Sequence, residues 1–230
     1  MQKLARPARM LLLGPPGAGK GTQTSRLLKK FDIPALSSGD ILRQQIAEKT
    51  DVGKTAADII KQGKLLPDTV MTAVISAELA TRHWLAATKT WLLDGFPRTQ
   101  PQAELLDGIL HPSLAGLNFV VELQVPFEVI LDRIANRLVH VPSGRVYNLT
   151  YNPPKVPGVD DVTGEPLTRR PDDDPEIFRT RLEEYQKLTT PLIEHYRKQG
   201  DLVWSVAGDT SDIIYPQLEK EVIRRFGIAP

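Results

Sequence analysis

Gly14-Pro15-Pro16-Gly17-Ala18-Gly19-Lys20-Gly21-Thr22 follows directly on the apolar run Met10-Leu11-Leu12-Leu13. A short apolar run ending in glycine reads as a buried strand entering a tight loop. Gly14, Gly17 and Gly19 let the backbone curl so that successive N–H groups point inward at an anion. Lys20 adds a point charge for the outer phosphates, and the helix expected from Lys20 turns its positive end toward the same anion. The match to Gly-x-x-x-x-Gly-Lys is full, although Gly21 stands where the usual pattern has Ser or Thr and Thr22 comes one residue later. Strand, loop, lysine and helix in this order predict a nucleotide-phosphate loop.

The whole chain sets the bounds around that loop. Its 230 residues suit one large domain, or a core with insertions, and can bury a substantial interior. Basic and acidic residues balance, 29 against 28, which argues against a nonspecific nucleic-acid binder. The absence of cysteine excludes disulfides, a catalytic thiol and cysteine-ligated zinc. No apolar run approaches the roughly 20 residues that span a bilayer, so a soluble protein is expected. Lys3, Arg6 and Arg9 precede the first strand, and no acid occurs before Asp32. Two readings fit that start: a short mitochondrial address, or an ordinary frayed basic end.

Short apolar runs alternate with longer amphipathic segments, the pattern of a parallel sheet covered by helices. Strands are expected at Arg9–Leu13, Ala35–Leu36, Thr90–Leu93, Asn118–Leu123 and Leu202–Val206. Helices are expected from Lys20, Gly39, Thr55, Asp68, Gln100, Phe127, Pro175 and Ser211, with Pro126 and Pro175 in first turns. Val139 to Pro171 breaks the rhythm with six prolines and three glycines, and Val146–Tyr151 alternates like a strand. A small β-rich insertion fits it better than a disordered linker, and such a unit can move as a lid.

Asp94-Gly95-Phe96-Pro97-Arg98-Thr99 follows the strand Trp91-Leu92-Leu93, so it belongs on the sheet edge that carries the phosphate loop. A carboxylate there can hold the hydration shell of Mg²⁺, and an arginine can clamp a phosphate by two parallel bonds. Leu36-Ser37-Ser38-Gly39-Asp40-Ile41-Leu42-Arg43 offers a hydroxyl, a helix start and a second arginine. Either segment alone reads equally as a helix cap.

With these segments in order, the chain resembles the adenylate kinases of the long-lid type from end to end. The resemblance rests on GPPGAGKGT at 14–22, SSGDILR at 37–43, GKLLPD at 63–68, LLDGFPRT at 92–99 and Gln102. It continues through HVPSGRVYN at 140–148, DDVTGEPL at 160–167, Arg170 and Arg181. The Lys-Gly-Thr ending of the loop is itself a mark of this family. The resemblance implies an α/β fold: a parallel five-stranded sheet flanked by helices, with a β-rich lid and a helical AMP-binding flap. It implies a core at 1–36, 67–135 and 174–230, a flap at 37–66 and a lid at 136–173.

It also implies roles. Gly17, Ala18, Gly19, Lys20, Gly21 and Thr22 hold the donor triphosphate, with Arg133, Arg137, Val146, Tyr147 and Thr210 near the donor. Ser38, Gly39, Arg43, Lys64, Leu65 and Leu66 hold AMP, with Gly95, Phe96, Pro97 and Arg98 beneath it and Gln102 reading adenine. Arg170 and Arg181 bridge the phosphates of both substrates, and Asp94 orients water on Mg²⁺. The expected catalytic set is Lys20, Arg98, Arg137, Arg170 and Arg181. Phosphoryl transfer needs charge stabilisation and alignment rather than a histidine nucleophile, which suits an arginine-rich site. His83 and His111 read as surface residues, and His195 as packing or capping. His140, Ser143, Asp160 and Thr163 stand where some relatives carry cysteine zinc ligands. A structural site wants four good ligands, so a zinc-free hydrogen-bonded network is expected.

Segments around Trp91, Phe127 and Gly208 look most like the mitochondrial-matrix branch, particularly its fungal members, which tends to use GTP with AMP. GTP is therefore placed ahead of ATP as donor, with a monomer in the matrix as the expected form, or a cytoplasmic one if the basic start is no address. A UMP/CMP kinase is disfavoured by the long lid. A nucleotide switch or hydrolase leaves SSGDILR, DGFPRT and Gln102 unexplained.

Overall fold

A computed structural model describes residues 1–170 and 173–230. Pro171 and Asp172, inside the expected insertion, lie outside the described residues. Strands β1 (Arg9–Leu13), β2 (Ala35–Ser37), β3 (Trp91–Asp94), β4 (Phe119–Gln124) and β7 (Val203–Ala207) form one sheet in the order β2-β3-β1-β4-β7. All of its pairings are parallel. A separate antiparallel pair, β5 (Arg137–Val139) and β6 (Val146–Asn148), lies in the inserted stretch.

Alternation along the strands decides what each face buries. Met10 and Leu12 of β1 join Leu92, Phe119 and Val121 on one face, under α1 (Lys20–Lys30) and α9 (Ser211–Phe226). Leu11 and Leu13 join Trp91, Leu93 and Val120 on the other. That face is covered by α4 (Asp68–Thr81), α5 (Gln100–Leu110) and α8 (Thr190–Arg197). A parallel sheet buried on both sides has to read as continuous apolar runs, which is why 10–13 and 91–93 do. A third, smaller cluster of Ile130, Ile134, Phe178 and Leu182 joins α6 (Phe127–Ala135) to α7 (Pro175–Glu184).

Register aligns the strand exits. Leu12 pairs with Asp94, Leu13 with Glu122 and Ser37 with Asp94, so the loops leaving β1, β2 and β3 emerge side by side. α2 (Ser38–Ala47) follows β2 without a loop, and α3 (Asp51–Lys61) packs against it.

Several boundaries differ from the sequence reading. α3 begins at Asp51, not Thr55, because Thr50 caps it by accepting from the Gly53 amide at 3.0 Å. Pro126 precedes α6 as its cap residue rather than opening its first turn. The expected strand 146–151 stops at Asn148, whose Oδ1 accepts the amides of Thr150 at 2.8 Å and Tyr151 at 3.3 Å and so closes a turn. The helix expected from Pro175 runs to Arg197 through a π turn at Tyr185–Thr189. Pro191 explains that turn: it cannot donate to the ladder and its ring crowds the carbonyl four residues back, which a widened turn relieves.

The basic start of the chain is not frayed. Gln2 pairs with Phe31 and Leu4 with Ile228, and the Ala5 and Arg6 amides donate to Gly227 and Phe226. The Arg6 guanidinium donates to the Arg225 carbonyl, and that of Arg9 to the Gly116 carbonyl at 2.7 Å.

Candidate active site

Where β1 ends, Gly14, Gly17 and Gly19 have φ of 153°, 81° and 93°, a region that only glycine enters freely. A β-carbon on Gly17 would lie 2.8 Å from Ile130 Cγ2, so no side chain fits between the loop and α6. Gly19 caps α1 without a side chain, and the first turn of α1 contains no acid. By contrast Ser37, Thr50, Thr99, Asp174 and Thr210 cap α2, α3, α5, α7 and α9. Neither the cap residue nor the first turn of α1 offsets its positive end, the arrangement that attracts phosphate.

Lys20 Nζ donates to the Gly14 carbonyl at 2.7 Å and the Pro15 carbonyl at 3.0 Å. Burial pushes the ammonium down to about 8; Asp94 opposes that shift, and the positive charges of Arg98, Arg181 and Arg137 add to it. Three arginines from the β3–α5 loop, α7 and β5 therefore converge on one lysine. Arg137 is held by Asp173 in a two-pronged ion pair, with Nε to Oδ2 at 2.9 Å. Arg170 is half-buried. Asp94 is buried, which raises its carboxyl, while Lys20 and Arg98 pull it down. A β-carbon on Gly21 would sit 3.8 Å from Asp94 Oδ2, so the carboxylate lies against the phosphate loop.

Arg133 is bound to backbone carbonyls around the phosphate loop. Its buried guanidinium donates to Ala18 O at 2.9 Å, Gly17 O at 3.3 Å and Asp209 O at 2.9 Å. It thus ties the phosphate loop to the β7–α9 turn. Thr210 spends its hydroxyl capping α9, accepting from the Ile213 amide at 3.2 Å. Val146 is exposed and Tyr147 is buried, its hydroxyl donating to Asp160 Oδ1 at 2.9 Å.

The second pocket edge is built on β2 and β3. Ser38 Oγ and Arg98 Nε both donate to the Gly95 carbonyl at 2.7 Å. Gly95 has φ of 78°, and a β-carbon there would lie 2.9 Å from Ser38 Oγ. Arg43 pairs with Asp40, its guanidinium lying over Gly39. Gly63 packs on α7, where a β-carbon would meet Ile177 O at 2.8 Å and Arg181 Cγ at 3.2 Å. After it, Lys64 is exposed, Leu65 half-buried and Leu66 in the core; Phe96 is a core side chain and Pro97 is buried. The Arg98 backbone is held on both sides. Its amide donates to Gln102 Oε1 at 2.8 Å, and its carbonyl accepts from Thr189 Oγ1 at 2.8 Å. Gln102 Nε2 donates to Asp68 Oδ1 at 2.8 Å.

In the insertion, Asp160 is buried and accepts Arg145 through Nε at 2.7 Å and NH2 at 2.6 Å. It also accepts the Thr163 amide at 2.8 Å and hydroxyl at 3.0 Å. These donors, Arg145 first, hold its carboxyl far below the usual carboxylate range. His140 bridges Ser143 Oγ at 2.7 Å and Glu165 Oε2 at 2.6 Å. Among the described residues no group of three or more His, Asp or Glu side chains is arranged to hold a metal ion.

The family model for adenylate kinase matches residues 12–201. The chain belongs to the adenylate kinase family. A Saccharomyces cerevisiae protein named "GTP:AMP phosphotransferase, mitochondrial" is 56% identical over 225 residues, covering 97% of this chain and 96% of its own. A protein of the same name from S. cerevisiae strain S288c is 58% identical over 213 residues, 92% of this chain and 94% of its own. An "Adenylate kinase" of Malassezia globosa is 48% identical over 199 residues, 86% of this chain and 76% of its own. As an adenylate kinase, the chain has its glycine loop, its arginines and its β3–α5 loop on one edge of the sheet. Sequence reasoning missed Asp68, Arg145, Glu165, Asp173 and Thr189 as parts of these networks. Asp68 ended the quoted GKLLPD run, but an acid opening a helix reads as a dipole partner, not as the partner of a glutamine 34 residues on.

Proposed function

We propose that this adenylate kinase transfers the terminal phosphoryl group of GTP reversibly to AMP, giving GDP and ADP, and uses ATP less well. The observation that carries the reading is the grouping of Lys20, Arg98, Arg137 and Arg181 beside the start of α1, which no side chain caps. Such a site gathers charge where a phosphoryl group passes between two nucleotides, and it has little other chemistry to do. The loop 17–22 would cradle the donor phosphates, with Lys20 moving from the Gly14 and Pro15 carbonyls onto the transferred group. Ser38, Gly39, Arg43, Arg98, Gln102 and the 64–66 backbone would hold AMP. Arg137, Arg170 and Arg181 would neutralise charge developing between the two.

Magnesium fits the donor set: Asp94 is a buried carboxylate against the loop, and Mg²⁺ keeps its waters while taking one or two carboxylates plus phosphates. When bound it would neutralise the phosphate oxygens; the protein residues hold and align the rest. Residues 37–66 as a flap and 136–173 as a lid would close on the core and expel water, protecting the donor from hydrolysis. The names of the two S. cerevisiae relatives favour GTP over ATP and a mitochondrial location, which we take to be the matrix. The chain is read as a monomer.

A coupled assay of GTP, ATP and ITP against AMP, CMP, UMP and GMP tests this. A buried polar group left unpaired by the wrong base costs about 1–3 kcal/mol, so GTP should exceed ATP about tenfold in kcat/KM at saturating AMP. An equal or reversed ratio makes it an ATP-dependent adenylate kinase. Failure with AMP overturns the acceptor site.

A further inference from the structure

A glutamine amide is ambidextrous: turned over, it exchanges its acceptor for its donors and reads the opposite base edge. Gln102 has lost that freedom. Its Oε1 accepts the Arg98 amide, a group that can only donate, and its Nε2 donates to Asp68 Oδ1, an ionised carboxylate that can only accept. The same Asp68 oxygen accepts Thr99 Oγ1 at 2.9 Å, which holds the carboxylate in place at the start of α4. A flipped amide would set Oε1 against the carboxylate and Nε2 against the Arg98 N–H, losing both bonds. Gln102 is 2% exposed, so no solvent would compensate that loss.

Each amide atom has used one valence on the protein, and each retains one: a lone pair on Oε1 and an N–H on Nε2. That spare pair complements a base edge with one acceptor beside one donor, as N1 and the N6 amine of adenine provide. It opposes the reversed edge, N1–H beside O6, of hypoxanthine and guanine. The geometry points to Asp68 as a specificity-determining residue: by fixing the orientation of the Gln102 amide, it makes the acceptor site refuse 6-oxopurine monophosphates. This inference rests on the reading of Gln102 as the residue that meets the acceptor base. Asp68 acts through Gln102 and is a positioning residue.

IMP is the sharpest probe, because it differs from AMP only along this edge. In Asp68→Asn the new amide can donate or accept, so turning Gln102 over still costs the Arg98 bond but no longer sets Oε1 against a carboxylate. We expect the AMP-over-IMP ratio of kcat/KM to fall about tenfold, the size of the one hydrogen bond to a charged group that Asp68 contributes, with KM for GTP unchanged. Asp68→Ser gives the same readout by a second route should the asparagine variant fold poorly. Gln102→Ala separates the two ideas. If it abolishes discrimination while both Asp68 variants keep the wild-type ratio, the role of Asp68 is overturned. If Gln102→Ala itself keeps the ratio, the base-reading assignment falls and the inference falls with it.

Discussion

At the scale of single residues, Lys20 is the clearest conflict between stability and function. Burial lowers its folded-state value to about 8 from an ordinary 10.5, so the fold disfavours the charge that the site needs. The sign follows directly. Carrying that ammonium is unfavourable below pH 8, and the penalty is relieved as pH rises from about 8 to 10.5, where the unfolded chain also gives up the proton. Lys20→Ala should therefore fold at least as stably as wild type, measured by thermal melting. It should lose about 3 kcal/mol or more of transition-state stabilisation, read from kcat/KM. Near-normal turnover in a well-folded variant would remove Lys20 from the mechanism. Because kcat/KM reports the free enzyme, the wild-type profile should fall on the alkaline side with a midpoint near pH 8. Lys20 was legible in the sequence because strand, glycines and lysine are local in the chain. Its grouping with Arg98, Arg137 and Arg181 was expected from the family resemblance alone, since those residues come from three separate elements and no spacing rule brings them together.

Among elements, the π turn and the inserted β unit each convert a sequence oddity into positioning. Pro191 widens the helical run, and within the widened turn the Thr189 hydroxyl reaches the Arg98 carbonyl. Removing that hydroxyl in Thr189→Val leaves a carbonyl unanswered, at a cost of about 1 kcal/mol or more. On the proposed roles, KM for AMP should rise about fivefold or more while KM for GTP stays constant, since 1.4 kcal/mol corresponds to tenfold. Thr189→Ser should restore it; a valine variant with unchanged AMP kinetics would make the contact purely structural. The sequence showed only threonine followed by a proline two residues later, and nothing local says that a helix will absorb the proline rather than end there. In the insertion, composition pointed to β structure but not to which donors meet Asp160. Arg145 and Tyr147 were readable as family marks, but their shared carboxylate depends on a chain reversal that no spacing rule supplies. That carboxyl lies well below its ordinary range, so its contribution is present above about pH 4 and is lost as pH falls further. Hydrogen exchange between residues 139 and 168 should quicken below about pH 4 before the central sheet does. Simultaneous loss in both regions would deny the insertion its independence.

Across the whole molecule, the sheet was legible because burial on both sides dictates continuous apolar runs, as in 10–13, 91–93 and 119–121. The ends were not. A short basic start looks the same whether it is frayed or folded, and only the tertiary structure brings it to residues two hundred positions away. Gln2 and Lys3 exchange backbone bonds with Lys30, Asp32 and Ala229, and Ala5 and Arg6 with Gly227 and Phe226. These contacts join the end of α1 to the end of α9, the two helices that cover one face of the sheet. Closing that face is a property of the entire chain, so its loss should be felt globally. Deleting residues 1–6 should cost at least about 2 kcal/mol, summing several net backbone hydrogen bonds. For a chain of this size that corresponds to a fall in Tm of roughly 4–8 °C. GTP and AMP kinetics at low temperature should be unaffected, because the loops at the carboxyl edge lie at the opposite end of β1 from this staple. An unchanged Tm in the truncated protein would show that α1 and α9 are held by their apolar contacts with the sheet alone, and that the paired ends add nothing to them.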